Sequence, residues 1–384
     1  MQHEVKRAHL TEEQLLQKYE KDKPKIAHYN ELTAYLFEQR QHQIYNEQTL
    51  QFTTSLLKLN PEFYTMWNYR REIMHHMYSP TPDIYVRVLN DELNFVLASL
   101  KRFPKVYWIW NHRSWCLFKL VELKSVNWEF EFKTVSKMLE LDQRNFHGWH
   151  YRRFVVENLE LEQQQQQVES GGDKNDGKGD GDDNSNKLAI LQLNFDEFDY
   201  TTSKIQRDFS NFSAWHNRTK LIPKIFHLLS DTKSANETLV DTVDKEKLEL
   251  FKTPLSILHN DLAILRTGIY MSPEDNSVWL YLYWLLSDDF FVSAFETREK
   301  YLEILNDQLS LIHEVNDLEK DDTGSDNVGC LKSLVYVHAL IDGVKGVDVL
   351  DDANIVSALQ KLVQLDSLRK HRYEDQLSGK APVI

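Results

Sequence analysis

The chain has 384 residues, of which 41% are hydrophobic and 27% are charged, and this composition predicts a folded protein with a sizeable buried core. Its formal net charge of −14 argues against binding to nucleic acid or to an anionic membrane surface, because both are polyanions. The N-terminus is polar, and no apolar run reaches the roughly 18 residues of a membrane-spanning helix. Two cysteines, Cys116 and Cys330, give neither a disulfide framework nor a zinc motif, so we expect a cytoplasmic protein without stable membrane insertion.

After a degenerate helical hairpin expected at residues 26–52, the chain repeats a W-x-x-R motif. Consecutive tryptophans of this motif are 43, 39, 66 and 64 residues apart, so the two longer intervals correspond to one repeat plus an insertion. A fifth copy keeps the tryptophan but has no arginine. The motif residues are Trp67 and Arg70, Trp110 and Arg113, Trp149 and Arg152, Trp215 and Arg218, and Trp279.

The remainder of each repeat predicts two helices. Apolar residues stand ten and seventeen positions before every tryptophan, as Leu100 and Leu93 do before Trp110, and a spacing of seven places both on one helical face. Turn formers such as Pro104 separate this helix from the one that carries the motif. Stacked hairpins of this kind form an all-α superhelix, a crescent-shaped solenoid with about 40 residues per repeat. We expect one domain over residues 1–384, with each tryptophan in the wedge between hairpins and each arginine paired to an acid or carbonyl of the next hairpin.

The longest insertion lies at residues 161–190 and is rich in Gln, Gly and Asp. It has too few large apolar groups to order itself, so we expect it to be disordered. The run of Asp180, Asp182 and Asn184 resembles part of a calcium-binding loop, but Leu191 stands where such a loop needs a bidentate glutamate. Residues 230–252 and 316–329 are polar and predicted to be loop-rich, and residues 353–376 predict a terminal helix or cap.

The corners of the second and third hairpins are basic, although the chain is acidic. Cations and the free N–H groups at helix N-termini suit an anion such as phosphate or diphosphate; the alternative is a solvated or ion-paired surface. Two histidine pairs, at 75–76 and at 147 and 150, lack a matching cysteine or carboxylate, so we expect no metal on this chain. No nucleotide-binding or hydrolase motif occurs, so the chain alone is not expected to be a complete enzyme. The basic corner residues are Lys101, Arg102, Lys105, His112, Arg113, Arg144, His147, His150, Arg152 and Arg153.

Two segments resemble a known family: PKVYWIWNHR at residues 104–113 and RNFHGWHYRR at residues 144–153. They are similar to the signature repeats of protein prenyltransferase α subunits, and the resemblance covers most of the chain. With the opening HEVKR and the first repeat NPEFYTMWNYRR, the chain resembles, within that family, the fungal type of Rab geranylgeranyltransferase (type II) α subunits.

The resemblance implies a transferase that is active only as a heterodimer. The α subunit would wrap around an α–α barrel β subunit, which holds the isoprenoid and a catalytic Zn²⁺ with its own ligands. The implied reaction transfers a geranylgeranyl group from geranylgeranyl diphosphate to the C-terminal cysteines of Rab GTPases, which an escort protein presents. Two alternatives stay open: the α subunit shared by farnesyltransferase and geranylgeranyltransferase type I, and a non-catalytic helical-repeat scaffold.

The resemblance also implies site residues. Lys105 and Tyr107 match the lysine and tyrosine that face the leaving diphosphate, and Asn145 and His147 match further residues of the same pocket. Phe146 departs from the family pattern, because it lacks the hydroxyl of the tyrosine found there. In some relatives a histidine near the N-terminus reaches the zinc of the β subunit, and His3 is the candidate for this autoinhibitory contact.

Overall fold

The computed structural model describes residues 10–170, 179–235 and 244–383, and all regular secondary structure within these ranges is helical. This confirms the all-α prediction. The helices are α1 (Glu12–Gln41), α2 (Glu47–Leu59), α3 (Tyr64–Tyr78), α4 (Pro82–Arg102), α5 (Tyr107–Glu122), α6 (Trp128–Leu141), α7 (Phe146–Ser170), α8 (Gly179–Arg207), α9 (Phe212–Ala235), α10 (Lys245–Leu250), α11 (Pro254–Met271), α12 (Asn276–Ser287), α13 (Asp289–Val292), α14 (Arg298–Thr323), α15 (Val328–Lys345), α16 (Ala353–Leu365) and α17 (Lys370–Leu377), with a 3₁₀ turn at Ser367–Arg369.

The helices form two compact units, Met1–Leu159 and Glu160–Ile384. In the first unit α2 packs against α3, and α4 packs against α5. In the second unit α8 packs against α9, α11 against α12, and α14 against α15. All of these pairs except α14 and α15 are predicted helical hairpins, and the start of every motif-bearing helix lies three residues before its tryptophan. A single domain over the whole chain stays a prediction.

The N-terminal hairpin predicted at residues 26–52 is wrong in its boundaries. Residues 26–41 are the second half of α1, a helix of 30 residues, and α2 is already the first helix of the first repeat. Helix α1 begins early because Thr11 and Gln14 form a capping box: the Thr11 hydroxyl accepts from the Gln14 backbone N–H (3.3 Å), and the Gln14 side chain accepts from the Thr11 N–H (3.0 Å).

The loop predicted at residues 316–329 is much shorter than expected. Helix α14 continues to Thr323 and ends at Gly324, whose φ of +79° suits glycine. The Asn316 side chain then closes the turn, since its amide donates to Asp326 (2.8 Å) and its carbonyl accepts from the Asn327 N–H (2.8 Å). Helices α14 and α15 therefore form a hairpin that carries no W-x-x-R motif and that the tryptophan alignment missed.

The insertion at residues 161–190 is described only in part. Helix α7 contains its first ten residues and α8 its last twelve, and Ile190 is buried. Residues 171–178 lie outside the described ranges, so their predicted disorder stays a prediction. The calcium alternative is also untested, because it involves side chains in the part of α8 whose side chains are not described.

Each motif tryptophan closes the turn of its own hairpin. The indole N–H of Trp67 donates to the carbonyl of Pro61, six residues earlier, at 2.8 Å, and the ring is 1% exposed. The same six-residue offset recurs in every copy, so the indole holds the turn at a fixed distance from the second helix. The other pairs are Trp110 with Pro104 (2.9 Å), and Trp149 with Gln143, Trp215 with Phe209 and Trp279 with Pro273 (2.8 Å each).

In the fifth repeat Gly329, near the start of α15, packs against the hydrogen bond between Trp279 and Pro273. A Cβ atom at this position would lie 2.4 Å from the Pro273 carbonyl oxygen and 2.7 Å from the Trp279 indole nitrogen. No side chain fits there, and the absence of one lets α15 approach the turn closely.

Three of the motif arginines, Arg70, Arg113 and Arg218, link two hairpins through buried hydrogen bonds. The Arg113 guanidinium, which is 1% exposed, makes a bidentate ion pair with Glu131 on the next hairpin (2.9 and 2.6 Å). Its Nη1 donates to the Leu93 carbonyl on the first helix of its own hairpin (2.9 Å). Equivalent pairs are Arg70 with Glu92 (2.6 Å twice) and Arg218 with Asp261 (2.7 Å twice). Arg152 donates to Ser136 on the first helix of its own hairpin (2.7 Å).

Acids occupy a repeated position that the sequence analysis missed, and three of them are the partners in these pairs. It lies eighteen residues before the tryptophan of its own repeat, directly before the apolar position, and the acids there are at most 6% exposed. The sequence could have indicated this position, because four of the five repeats have an acid directly before an apolar core residue. The residues are Glu92, Glu131, Glu197 and Asp261.

A second partner reaches the same acids from the position two residues after the tryptophan. The Tyr151 hydroxyl donates to Glu131 (2.6 Å), and the Tyr281 hydroxyl donates to Asp261. In the second repeat this position is His112, which is fully buried and lies 2.8 Å from Glu92. His112 and Arg113 were counted among the basic corner residues, but both belong to this buried network and leave no charge at the corner.

The network gives the protein a specific pH dependence. Burial acts to raise the pKa of Glu92, but the charge and hydrogen bonds of Arg70 and the hydrogen bond of His112 outweigh it and lower that pKa from 4.5 to about 2. The unfolded chain therefore takes up a proton from pH 4.5 downwards, whereas the folded chain does not. Stability supplied by Glu92 is complete above pH 4.5 and is lost as the pH falls toward 2.

We expect the difference in unfolding free energy between the wild type and Glu92→Gln to narrow by about 1 kcal/mol between pH 5 and pH 3.5. Urea unfolding of both proteins at each pH measures this difference, and the other carboxylates cancel in the comparison. A difference that stays constant over this range would contradict the lowered pKa.

Candidate functional site

The corners of the second and third hairpins lie side by side in the first unit. The side-chain amide of Asn145 donates to the Pro104 carbonyl (3.1 Å), which also accepts from Trp110. The carbonyl of the Asn145 side chain accepts from the His147 backbone N–H (3.1 Å) at the start of α7. Asn145 is 3% exposed, so it ties the two corners together and caps α7 at the same time.

Lys105 lies between these corners. Its ammonium is 3.3 Å from the Asp142 carboxylate, and the side chains are 27% and 14% exposed. Asp142 thus holds Lys105 at the corner.

Tyr107 is the first residue of α5 and is 62% exposed. Its ring meets the His147 imidazole edge-on, with the centroids 4.1 Å apart, and the Phe146 ring lies 6.0 Å away. The imidazole fixes the direction of the Tyr107 ring, and the hydroxyl makes no hydrogen bond with the described part of the chain.

His147 is buried among aromatic rings and is 7% exposed. Burial lowers its pKa, the nearby charges of Lys105 and His150 lower it further, and a hydrogen bond to the Lys105 backbone opposes them. The imidazole is therefore neutral near pH 7. Its Nε2 is buried and has no hydrogen-bond partner among the described residues, which makes it a group that a ligand could satisfy.

A cavity of about 440 Å³ opens beside these residues, between α5 and α7. Most of its wall is aromatic, and its polar groups come from two histidines, an asparagine, a serine and two tyrosines, so it suits a ligand with both apolar and polar parts. Lys105 and Asn145 are not in the wall and lie at the adjoining corner. The lining residues are Tyr107, Trp110, Asn111, Ser114, Phe118, Phe146, His147, His150, Tyr151 and Phe154.

Among these lining residues Asn111 was missed as a site residue, and His150 was counted only as a basic corner residue. Asn111 and His150 both follow the motif tryptophan by one position, and both are exposed. This position is polar in four of the five copies, next to a buried tryptophan, and that contrast was the available signal. The Asn111 carbonyl is held by Arg71 at 2.6 Å.

In four of the five repeats an aromatic residue stands three positions before the tryptophan, and its side chain is about half exposed. In the first unit Tyr64, Tyr107 and Phe146 are 53%, 62% and 51% exposed, each as the first residue of its helix. Tyr64 also contacts the ring of Trp108, with centroids 5.2 Å apart. Large exposed rings repeated at one position are typical of a surface that contacts another protein.

The other predicted site residue lies outside the described ranges: nothing is described of His3, and its autoinhibitory role stays a prediction. Within the described ranges, no group of three or more His, Cys, Asp and Glu side chains could hold a metal ion. None of the described helices is both long enough and apolar enough to cross a bilayer.

Comparison with known proteins gives concordant results. Five segments match the protein prenyltransferase alpha subunit repeat, at residues 46–77, 89–120, 128–159, 195–225 and 258–288. The chain is 53% identical to a Candida albicans protein named geranylgeranyl transferase type-2 subunit alpha, with 100% of both chains covered. It is 34% identical to the protein of the same name from Saccharomyces cerevisiae, with 97% of both chains covered.

Among solved structures, the chain is similar to a chain of the Candida albicans protein geranylgeranyltransferase-I complexed with GGPP. The TM-score is 0.54 at 20% sequence identity, and the match covers 92% of this chain and 91% of that chain. This similarity concerns the fold, and it confirms the predicted α–α superhelix of helical hairpins. The chain therefore belongs to the protein prenyltransferase alpha subunit family, among the geranylgeranyl transferase type-2 alpha subunits.

Proposed function

We propose that the chain is the α subunit of a heterodimeric Rab geranylgeranyltransferase (type II). The enzyme transfers geranylgeranyl from geranylgeranyl diphosphate to C-terminal cysteines of Rab GTPases, in the cytoplasm and with an escort protein. The observation that carries this proposal is the 53% identity, over the full length of both chains, to a type-2 alpha subunit. The names of the similar proteins favour this function over the α subunit shared with farnesyltransferase.

We assign the catalytic Zn²⁺ to the β subunit. The described residues offer no cluster of metal ligands, and both cysteines are buried. Burial also raises the pKa of the Cys116 thiol well above its ordinary value, which disfavours the thiolate that zinc binds. When bound in the β subunit, the zinc would activate the cysteine thiolate of the Rab protein.

This chain contributes to departure of the diphosphate. As the thiolate sulfur bonds to C1 of the prenyl group, the C1–O bond breaks and negative charge develops on the leaving oxygen. Lys105 supplies a cation and Tyr107 a hydroxyl donor, and both are positioned before the reaction begins. Asn145 is a positioning residue, because its hydrogen bonds hold the two corners together.

His147 completes the corner in two ways. It orients the Tyr107 ring by its edge-on contact, and its Nε2 lacks a hydrogen-bond partner among the described residues. Because the other ring nitrogen donates to the Lys105 backbone, Nε2 of the neutral imidazole is an acceptor, and it becomes a donor to a phosphate oxygen only when the ring takes up a proton. Phe146 has no hydroxyl, so the hydroxyl donor at this corner is Tyr107.

The exposed aromatic row at Tyr64, Tyr107 and Phe146 supports docking of the β subunit on the first unit. Burial of such rings against a partner contributes the apolar area that an obligate interface needs. The diphosphate would then lie at this interface, beside the corner donors.

Tyr107→Phe is expected to reduce single-turnover geranylgeranyl transfer by roughly 10-fold, because a hydrogen bond to a charged group is lost and the ring is kept. Rapid-quench kinetics on the heterodimer measures this rate. Tyr64→Phe is the matched control, since Tyr64 occupies the same helix position in the preceding hairpin and is equally exposed. Equal rates for Tyr107→Phe and Tyr64→Phe would contradict the role of the Tyr107 hydroxyl.

Co-expression with candidate β subunits tests the function itself. Purified complexes are assayed with CaaX peptides and with a Rab GTPase plus escort protein. Geranylgeranylation of the Rab protein alone supports the proposal, whereas farnesylation of CaaX peptides would assign the chain to the shared α subunit. No complex with any β subunit would favour a scaffold.

A further inference from the structure

A second cavity of about 570 Å³ lies in the second unit, between α12, α15, α16 and α17. One wall is apolar and aromatic: the rings of Tyr283 and Tyr336 stack with centroids 4.1 Å apart, and Leu359 and Leu362 lie beside them. Leu280, at the cavity wall on α12, is 50% exposed. The cavity can therefore accept an apolar group from outside.

The lining of the cavity is also cationic. Lys332, Arg369 and Arg372 line the cavity, and one carboxylate, Asp366, neutralises part of their charge. Asp366 is 3.2 Å from Lys332 and 3.1 Å from Arg369, and it accepts a hydrogen bond from Tyr373. Burial acts to raise the pKa of Asp366, but these contacts outweigh it and keep that pKa below its ordinary value.

Arg372 has no ion pair with any part of the chain that the structure describes, and its side chain is exposed. Three cations therefore face one carboxylate in a chain whose net charge is −14. Such a local excess of positive charge favours an anionic ligand, and the planar guanidinium of Arg372 suits a carboxylate.

One lining residue, Gln376, already binds backbone carbonyls of this chain. The Gln376 amide donates to the backbone carbonyls of Pro382 and Val383, at 3.0 and 3.1 Å. Its Oε1 is buried and has no donor among the described residues. A backbone N–H that reaches Oε1 would satisfy it, whereas a fatty acid has no such donor.

We propose that this cavity binds the C-terminus of a peptide from a partner protein, with the terminal carboxylate on Arg372 and an apolar last side chain against Tyr283 and Tyr336. The carboxylate would pair with the Arg372 guanidinium, and the apolar side chain would pack against the aromatic rings. A peptide N–H would donate to the Gln376 side chain. This cavity lies in the second unit, whereas Lys105 and Tyr107, which we propose bind the diphosphate, lie in the first. The proposal does not rest on the transferase function.

Fluorescence anisotropy with the full chain tests this site. The probe is the N-terminally labelled hexapeptide Gly-Ser-Gly-Ser-Val-Leu with a free carboxylate, compared with the same peptide amidated at its C-terminus. We expect saturable binding of the acid and at least about 10-fold weaker binding of the amide, because a charge-assisted hydrogen bond is lost. Dodecanoate is the competing anion without peptide groups.

Arg372→Gln is expected to weaken binding of the acid by about 10-fold and to leave binding of the amide unchanged. Lys370→Gln is the matched control, because it removes the same charge two residues away and Lys370 does not line the cavity. Leu280→Glu tests the apolar side and is expected to weaken both peptides. Equal affinity of the acid and amide, equal effects of Arg372→Gln and Lys370→Gln, or binding of dodecanoate without the peptide would overturn the proposal.

Discussion

Replacement of Lys105 by alanine is expected to slow single-turnover geranylgeranyl transfer by about 10²-fold, because one preorganised donor to the leaving diphosphate is removed. Assembly with the β subunit should persist, since the Lys105 side chain lies at a turn and is not among the buried core residues. The rate is measured by rapid quench with saturating geranylgeranyl diphosphate, and the heterodimer is quantified by size-exclusion chromatography.

Lys101→Ala is the matched control, because Lys101 lies at the exposed end of α4, four residues before Lys105. It should transfer at the wild-type rate. Asp142→Asn tests how Lys105 is held: loss of the carboxylate leaves the donor but removes the contact that positions it. We expect a rate between those of the wild type and Lys105→Ala, and a wild-type rate for Lys105→Ala itself would remove Lys105 from the mechanism.

Replacement of Arg113 by alanine is expected to destabilise the chain by roughly 3–5 kcal/mol, because it leaves the buried Glu131 carboxylate without its cation. The Leu93 carbonyl loses a donor in the same step. Urea unfolding followed by circular dichroism measures the loss.

Arg102→Ala is the control for loss of an arginine. Arg102 is exposed at the end of α4 and lies over the Phe103 ring at 4.9 Å, so its removal should change the unfolding free energy by less than about 1 kcal/mol. The double variant Arg113→Met/Glu131→Leu should recover most of the loss, since no buried charge remains. A double variant no more stable than Arg113→Ala would show that packing, rather than the unpaired charge, dominates.

The alignment on tryptophan predicted five hairpins correctly, because turn formers and helical periodicity are local signals. It missed the α14–α15 hairpin, whose turn is closed by Asn316 and Gly324 instead of a tryptophan. It also placed His112 and Arg113 at a basic corner, although both point into a buried acid network. A sequence of like charges does not indicate which of them have partners in another helix.

The candidate site was also predicted only in part from the sequence. Lys105, Tyr107, Asn145 and His147 were found by resemblance, and the structure brings them to two adjoining corners. The structure added Asp142 as the partner of Lys105 and the cavity that His150 lines with Tyr107. These contacts join residues about 40 positions apart in sequence, and no local pattern specifies them.

By itself, the sequence determined the period, the helix class and the identity of the turn-closing tryptophans, since each depends on residues within one hairpin. Only the tertiary structure decided which charges are buried and which stay at the surface. Arg113 and Lys105 both belong to the second basic corner, yet one is fixed inside by Glu131 and the other stays at the surface beside Asp142. The physical reason is that the cost of burying a charge is set by partners from the neighbouring hairpin, which the tertiary fold alone supplies.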